Sequence, residues 1–180
     1  MTESYIPLLD MLSRLINDGV DFRLTLSISP SLAEMLKDEL LMERYSRHVE
    51  RLLELSEKEA LRTRRDIHLG PVVRMYRKRF LRIKNFFEEV YGRDIISEIR
   101  KLRDTGKIEV ITSAATHAYL PNLSLCPQAV KAQIKIGAEQ FKKNFGLPAQ
   151  GIWLPECGFV PGFDDYMKAE GIGYFFLEKE

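Results

Sequence analysis

A single acidic side chain follows a short hydrophobic run near the end of the sequence. The stretch GIWLPECGF places Glu156 directly after Trp153, Leu154 and Pro155. In parallel α/β folds, the loops that follow the carboxyl ends of the strands line the active site. A carboxylate at such a position is poorly placed for packing and well placed for chemistry. The structural alternative for Glu156 is an exposed loop ion pair or a charge at a helix N-terminus.

The residues around Glu156 predict how it is presented. Side chains alternate along a strand, so Ile152, Leu154 and Glu156 share one face if the strand continues that far. Glu156 then lies at the rim of the sheet, above two core residues. Pro155 fixes the start of the turn, and Gly158 permits a tight one.

Two aromatic residues and a second loop are further candidates. Trp153 and Phe159 offer flat apolar surfaces that suit the faces of sugar rings. The strand KIEVIT is followed by SAATHAYLP, which carries His117 and Tyr119. A lone histidine in a strand–helix loop is more often a hydrogen-bonded structural residue than a functional one.

Metal and cofactor motifs are missing from the sequence. His48 and His68 show no His-x-x-x-His or His-x-x-Glu spacing, so we predict no metal site. There is no Gly-rich phosphate loop and no Gly-x-Ser-x-Gly elbow, and we predict no cofactor. Cys126 and Cys157 fit no disulfide or metal spacing, which is typical of reduced thiols in a cytoplasmic protein.

One pattern recurs along the chain and predicts the fold. Four times, a segment with apolar residues at helical spacing ends at a glycine, and a short strand-like run follows. This pattern predicts consecutive parallel strands with helices packed outside them, an α/β fold. The glycines are Gly19, Gly106, Gly146 and Gly171, and the third helix carries Val130, Ile134, Phe141 and Phe145. Ser31 is predicted to cap a helix LAEMLKDELL.

The pattern changes at about residues 43–91, where a long, charged helical insertion is predicted. Its second part contains an apolar stripe made of Tyr76, Phe80, Ile83, Phe87 and Val90. Basic residues crowd around this stripe, so one interpretation is a polyanion site. The other interpretation, which the stripe favours, is a solvated helix face. The basic residues are Arg62, Arg64, Arg65, Arg74, Arg77, Lys78, Arg79, Arg82 and Lys84.

The bulk composition is that of an ordinary soluble protein. The chain has 180 residues, a formal net charge of +1 and 45% hydrophobic residues. A near-zero charge gives no support to a nucleic-acid partner, and no window approaches the ~20 apolar residues of a membrane span. The N-terminus has no signal-peptide pattern. We therefore predict neither a nucleic-acid nor a membrane partner.

Two motifs together resemble those of a known enzyme family. GIWLPECGF resembles the nucleophile motif of glycoside hydrolase family 57, and GKIEVITSAATHAYLP resembles the preceding motif of the same family. The pattern looks closest to the branch with the 1,4-α-glucan branching enzymes, and the likeness covers essentially the whole chain. It implies a (β/α)7 barrel, a retaining mechanism and an α-glucan substrate.

The resemblance also implies roles for individual residues. Glu156 would be the nucleophile, and His117 would contact the sugar bound at the cleavage point. Trp153 and Cys157 would be close neighbours of the reacting centre, with Phe159 also in the substrate site. In a retaining mechanism a second carboxylate, about 5–5.5 Å from the first, protonates the leaving oxygen.

The sequence departs from the family pattern at both ends. The family opens on a strand with a His-containing motif, and its general acid is an aspartate well beyond the nucleophile; neither is found here. We therefore expect an incomplete barrel over residues 1–180, inactive alone, with a complementing polypeptide as one source of the rest. The alternatives are a polysaccharide deacetylase-like domain and a non-catalytic polyanion-binding module.

Overall fold

The computed structural model describes residues 1–178. In chain order its elements are α1 (Tyr5–Asn17), β1 (Leu24–Ser27), α2 (Pro30–Met35), α3 (Glu39–Arg62), α4 (Leu69–Asn85), a π-turn (Phe86–Val90), α5 (Ile95–Asp104), β2 (Ile108–Ser113), a 3₁₀ turn (Leu120–Leu123), α6 (Pro127–Phe145), β3 (Gly151–Trp153), a second 3₁₀ turn (Pro155–Cys157), α7 (Phe163–Ala169) and β4 (Tyr174–Phe175). The chain divides into two compact units. The first consists of Met1–Val20 and Leu36–Ile99, and the second of Asp21–Met35 and the chain from Arg100 onward.

The second unit contains a parallel sheet with the strand order β1-β2-β3-β4. Strands that are consecutive in the chain are therefore neighbours, and a segment with at least one helix separates each pair. This confirms the predicted α/β fold with about four parallel strands and a helical insertion between the first two. The strands are shorter than the hydrophobic runs that predicted them, since β4 has only two residues.

Helix α6 carries much of the core of this unit. Its four predicted apolar positions are all at most 5% exposed. Two of them, Val130 and Ile134, belong to a core cluster that includes Ile152, Leu154 and Met167. The helix ends where the sequence predicts, because Gly146 has φ of 75°, a left-handed conformation that glycine adopts without steric cost. The other three predicted helix-ending glycines also have positive φ.

The first unit is helical, and α3 packs against α4. In the predicted stripe, Ile83 and Phe87 are buried, but Tyr76 and Val90 are 41% and 50% exposed. The prediction fails at Val90 because the backbone forms a π-turn there: the Tyr91 N–H donates to the Phe86 carbonyl, five residues back. The wider turn shifts the residues that follow out of the α-helical phase.

The basic residues of the first unit are largely paired with acids. Five of the nine form ion pairs, which favours the interpretation as a solvated helix face over a polyanion site. The pairs are Arg62–Glu59, Arg77–Glu57, Arg79–Glu3, Arg82–Asp10 and Lys84–Glu50.

The predicted cap at Ser31 is wrong. The Leu32 N–H donates to the hydroxyl of Ser29, so Ser29 caps α2 and Ser31 lies inside the helix. The predicted single helix is two, because α2 ends at Met35 and Asp38 caps α3 by accepting from the Leu41 N–H.

The described residues 1–178 contain neither a helix suited to a membrane nor a cluster of metal ligands. None of the helices in this range combines the length and the apolar character that a membrane span requires. Within the same range, no three histidine, cysteine, aspartate or glutamate side chains form a group that could hold a metal ion.

Candidate active site

Glu156 lies on a tight turn at the carboxyl end of β3. The strand ends at Trp153, and Pro155 begins a 3₁₀ turn in which the Cys157 N–H donates to the Leu154 carbonyl. Proline has no N–H to continue a strand ladder. The expectation that Glu156 continues the alternating face of Ile152 and Leu154 is therefore wrong, although both of those residues are completely buried as predicted.

The turn holds Glu156 in a strained conformation. Glu156 has φ of 52° and Cys157 has φ of 53°, in the left-handed region. Each such residue costs about 1–3 kcal/mol, and such residues cluster at active sites. His117 has φ of 57°, and Arg93 is the only other described non-glycine residue with positive φ. Three of the five predicted site residues thus share a rare backbone state.

The Glu156 side chain is exposed. No hydrogen-bond donor or cation in the described part of the chain pairs with its carboxylate. The loop ion pair that served as the structural alternative for Glu156 is therefore not formed. What remains is a solvent-facing carboxylate on a strained turn, available to react with a ligand.

His117 lies in the loop after the neighbouring strand β2. Its Nδ1 is 3.3 Å from the hydroxyl oxygen of Ser113, and its backbone N–H donates to the Ala114 carbonyl. Helix α6 fixes this loop from behind, since the side-chain oxygen of Gln133 accepts from the Thr116 N–H at 3.0 Å. The imidazole is therefore held to the end of β2 through one nitrogen while the residue remains exposed.

The loops that carry His117 and Glu156 are in contact. Ser113 pairs with Trp153 across the two strands, and the Ser113 hydroxyl donates to the Trp153 carbonyl at 2.9 Å. Further out, a Cβ added to Gly158 would overlap the ring of Tyr119 and lie 2.9 Å from Pro121. Gly158 has φ of −71°, so it is required for this close approach and not, as predicted, for the conformation of a tight turn.

Comparison with models of known protein families identifies the family of this chain. The family model described as Glycosyl hydrolase family 57 matches residues 1–180. The chain belongs to glycoside hydrolase family 57.

Relatives within the family include both branching enzymes and an amylase. A 1,4-alpha-glucan branching enzyme from Thermococcus kodakarensis is 35% identical over 99% of this chain and 28% of its own length. Among solved structures, the alpha-amylase AmyC from Thermotoga maritima has a TM-score of 0.92 and 42% identity, over 98% of this chain and 33% of its own. A GH57-type branching enzyme from Pyrococcus horikoshii has a TM-score of 0.92 and 35% identity, over 97% and 35%.

The chain spans about a third of the length of these family 57 proteins. The resemblance that the two motifs predicted is confirmed, and the four strands form part of the (β/α)7 barrel of the family. Because the chain belongs to this family, the alternative of a polysaccharide deacetylase-like domain no longer applies.

The other three predicted site residues, Trp153, Phe159 and Cys157, lie in or beside the turn that carries Glu156. Trp153 is 36% exposed, with its ring centre 5.8 Å from that of Phe176, so part of its surface is open to a ligand. Phe159 is half-buried, and its ring stacks on Phe175 at 5.1 Å. One face of Phe159 is therefore already covered by protein. Cys157 is a half-buried free thiol.

The sequence interpretation missed Ser113 and Gln133. Ser113 is the last residue of β2 and is 1% exposed, and its hydroxyl lies between Trp153 and His117. A polar residue at the end of a hydrophobic strand, on the same face as Ile111, is a signal that could have identified it. Gln133 lies on α6, far from His117 in sequence, and no local pattern indicates its role.

Proposed function

We propose that this protein uses Glu156 as the nucleophile of a retaining reaction on an α-1,4-glucan. The observation that carries the proposal is the exposed, unpaired carboxylate on a left-handed turn after β3, next to the His117 loop after β2. Family membership supports the reaction class, and the relatives named as branching enzymes and an amylase support the substrate class.

The chemistry follows the general scheme of retaining glycosidases. A carboxylate oxygen of Glu156 attacks the anomeric carbon while the bond from that carbon to the leaving oxygen breaks. A second carboxylic acid gives the leaving oxygen its proton. Water or a glucan hydroxyl then attacks the glycosyl ester, which releases Glu156 as a carboxylate and gives hydrolysis or transfer.

The other site residues have supporting roles in this proposal. His117 contacts the sugar bound at the cleavage point, and Trp153 offers its open surface to a neighbouring ring. Cys157 shapes the turn beside the nucleophile. Phe159 supports that turn from the core and is less available to the sugar, because Phe175 covers one of its faces.

We propose branching, within glycogen biosynthesis in the cytoplasm, as the physiological reaction. The branching enzyme of Thermococcus kodakarensis supports it at 35% identity, while the amylase of Thermotoga maritima, at 42%, supports hydrolysis as the second candidate. Product analysis separates the two candidates, since branching creates α-1,6 bonds and hydrolysis creates only new reducing ends.

A maltooligosaccharyl fluoride tests the nucleophile without the general acid. Fluoride leaves without protonation, so Glu156 can form the glycosyl ester while the carbon–fluorine bond breaks. We expect intact-mass spectrometry of the pure chain with α-maltotriosyl fluoride to show one added maltotriosyl group. Peptide mapping should locate this group at Glu156.

Two variants make the labelling result decisive. Glu156→Gln has nearly the same shape but no carboxylate, and it should not be labelled. Asp165→Asn removes another exposed carboxylate, in the first turn of α7, and should be labelled at the wild-type rate. Equal labelling of wild type and Glu156→Gln, or a maltotriosyl group mapped to a residue other than Glu156, would overturn the assignment.

We also propose that residues 1–180 form part of the catalytic barrel and do not branch glucans alone. Among the described strands, β1 and β4 each pair on one side only. Further strands, from this polypeptide or from a complementing one, would pair with those edges. General acid catalysis is worth ~10²–10⁴-fold, so the pure chain should show no measurable branching in an amylose–iodine assay. Robust branching by the pure chain would contradict this.

A further inference from the structure

The hydroxyl group of Ser113 is buried between two partners at the centre of the candidate site. Its oxygen is 2.9 Å from the backbone carbonyl oxygen of Trp153 and 3.3 Å from Nδ1 of His117. Ser113 is 1% exposed, so its hydroxyl is buried although His117 is exposed. One hydroxyl group therefore links β2, β3 and the candidate sugar-contacting histidine.

The chemistry of the two partners determines the direction of both hydrogen bonds. A carbonyl oxygen can only accept, so the single hydroxyl hydrogen of Ser113 points to Trp153. Toward His117 the hydroxyl oxygen then has only lone pairs to offer. The interaction is a hydrogen bond only if Nδ1 carries the hydrogen, which leaves Nε2 of the neutral ring as an acceptor.

We infer that Ser113 is a positioning residue that sets the tautomer of His117, with the hydrogen on Nδ1 and a free lone pair on Nε2. Among the described residues, none bonds Nε2. The consequence for the ligand rests on the proposed function: His117 accepts a hydrogen bond from a sugar hydroxyl at the cleavage point and, in its neutral form, does not donate one.

Helix α6 holds the two ends of this arrangement in place. On the opposite side of β2, the Thr112 hydroxyl donates to the Gly137 carbonyl at 2.9 Å. A Cβ added to Gly137 would overlap the Ser113 carbonyl oxygen, so the helix and the strand end are in direct contact. Gln133 fixes the loop between Ser113 and His117 through Thr116. Ser113 and the backbone of the His117 loop are thus anchored separately by the same helix.

Nitrogen NMR of the folded chain tests the inference directly. Long-range proton–nitrogen spectra of ¹⁵N-histidine-labelled protein, at about pH 8.5 where an ordinary imidazole is neutral, distinguish a protonated ring nitrogen from a bare one. The chain has three histidines, and His117→Gln identifies the signals of His117. We expect a protonated Nδ1 and a bare Nε2. A protonated Nε2 with a bare Nδ1 would overturn the inference.

Variants separate the hydrogen bond from packing. Ser113→Ala should shift the His117 tautomer ratio toward protonated Nε2 by about fivefold, the equivalent of one net hydrogen bond. Ser113→Thr keeps the hydroxyl and should retain the wild-type tautomer. Ser56→Ala removes a buried hydroxyl that donates to the Leu53 carbonyl within α3, and it should leave the tautomer unchanged. An unchanged tautomer ratio in folded Ser113→Ala would also overturn the inference. If that variant does not fold, the tautomer seen in the wild-type spectrum decides whether the inference holds.

Adding maltotriose separates this inference from the proposed function. We expect the Nε2 resonance of His117 to shift as it accepts a hydrogen bond from the sugar. If the free chain shows the expected tautomer but maltotriose leaves Nε2 unchanged, the role toward the sugar fails. The assignment of the tautomer to Ser113 is then kept.

Discussion

Gly158 is the position where a single methyl group should separate the two loops of the candidate site. Its backbone has an ordinary φ of −71°, so alanine introduces no conformational strain there. The added Cβ would overlap Tyr119 and lie 2.9 and 3.0 Å from Cδ and Cγ of Pro121. Ordinary contacts begin at 3.4 Å, so Pro121 must retreat by about half an ångström.

The cost of this displacement depends on which neighbour can move. Tyr119 is 44% exposed, and its ring can swing toward solvent. Pro121 belongs to the 3₁₀ turn Leu120–Leu123, which is held in place by the completely buried side chain of Leu120. We therefore expect overpacking to cost about 1–3 kcal/mol, equivalent to about 2–12 °C in the melting temperature of a chain of this size.

The displacement should also slow the chemistry. A misplacement of 1 Å can lower a rate by ~10²-fold, so half that displacement should slow maltotriosyl labelling of Glu156 by roughly tenfold. The assays are thermal unfolding by circular dichroism and labelling followed by mass spectrometry.

A second glycine provides the matched control for this prediction. Gly173 is not at positive φ, and a Cβ there meets only the Gln150 carbonyl oxygen at an ordinary 3.6 Å. Gly173→Ala should change stability by less than about 0.5 kcal/mol and leave labelling unchanged. If Gly158→Ala matches both the wild-type melting temperature and the wild-type labelling rate, the two loops do not pack as described and the reasoning is refuted.

Two further predictions concern the first unit. The hydroxyl of Tyr91 is buried with no partner in the described chain, while that of Tyr45 has a hydrogen-bond partner. Tyr91→Phe should therefore keep or raise the free energy of unfolding in urea, whereas Tyr45→Phe should lower it by about 0.5–1.5 kcal/mol. A larger loss of stability in Tyr91→Phe than in Tyr45→Phe would contradict this prediction. The nearby Ser46 hydroxyl and the Arg93 guanidinium, which donates to the Glu88 carboxylate at 2.8 Å, hold the pKa of that carboxyl below its ordinary 4.5. A carboxyl whose pKa is lower in the folded state stabilises that state at pH values above its unfolded pKa. The stability advantage of wild type over Glu88→Gln should therefore be full above about pH 4.5 and shrink as the pH falls further. A difference that does not change with pH would refute this prediction.

Local sequence patterns predicted much of the fold. Glycines after apolar helical segments located the ends of helices because positive φ is a property of the single residue. The buried positions of α6 followed from helical spacing alone. The π-turn before Tyr91 did not, because an i→i+5 hydrogen bond leaves no periodic signal, and it turned Val90 outward.

The candidate site was predicted in its residue types and not in its geometry. Glu156 and His117 became candidates because strand ends in a parallel sheet often carry function. Their left-handed backbones and the hydroxyl of Ser113 between the two strands depend on contacts between segments about 40 residues apart. The interpretation of Gly158 failed for the same reason. A side chain at this position would overlap Tyr119, which lies in another loop.

Helix α6 explains why so short a sheet can hold a strained site. The helix contacts the last residues of β2 through Gly137 and fixes the following loop through Gln133. Strand β3 is attached in turn through the Ser113 hydroxyl, so the position of the Glu156 turn is set relative to the same helix. A left-handed residue persists only where the surrounding structure determines its position more than once. Here the backbone ladder, the buried hydroxyl and the approach of Tyr119 to Gly158 provide three such determinants, and they are the physical support for the proposal that Glu156 carries the chemistry.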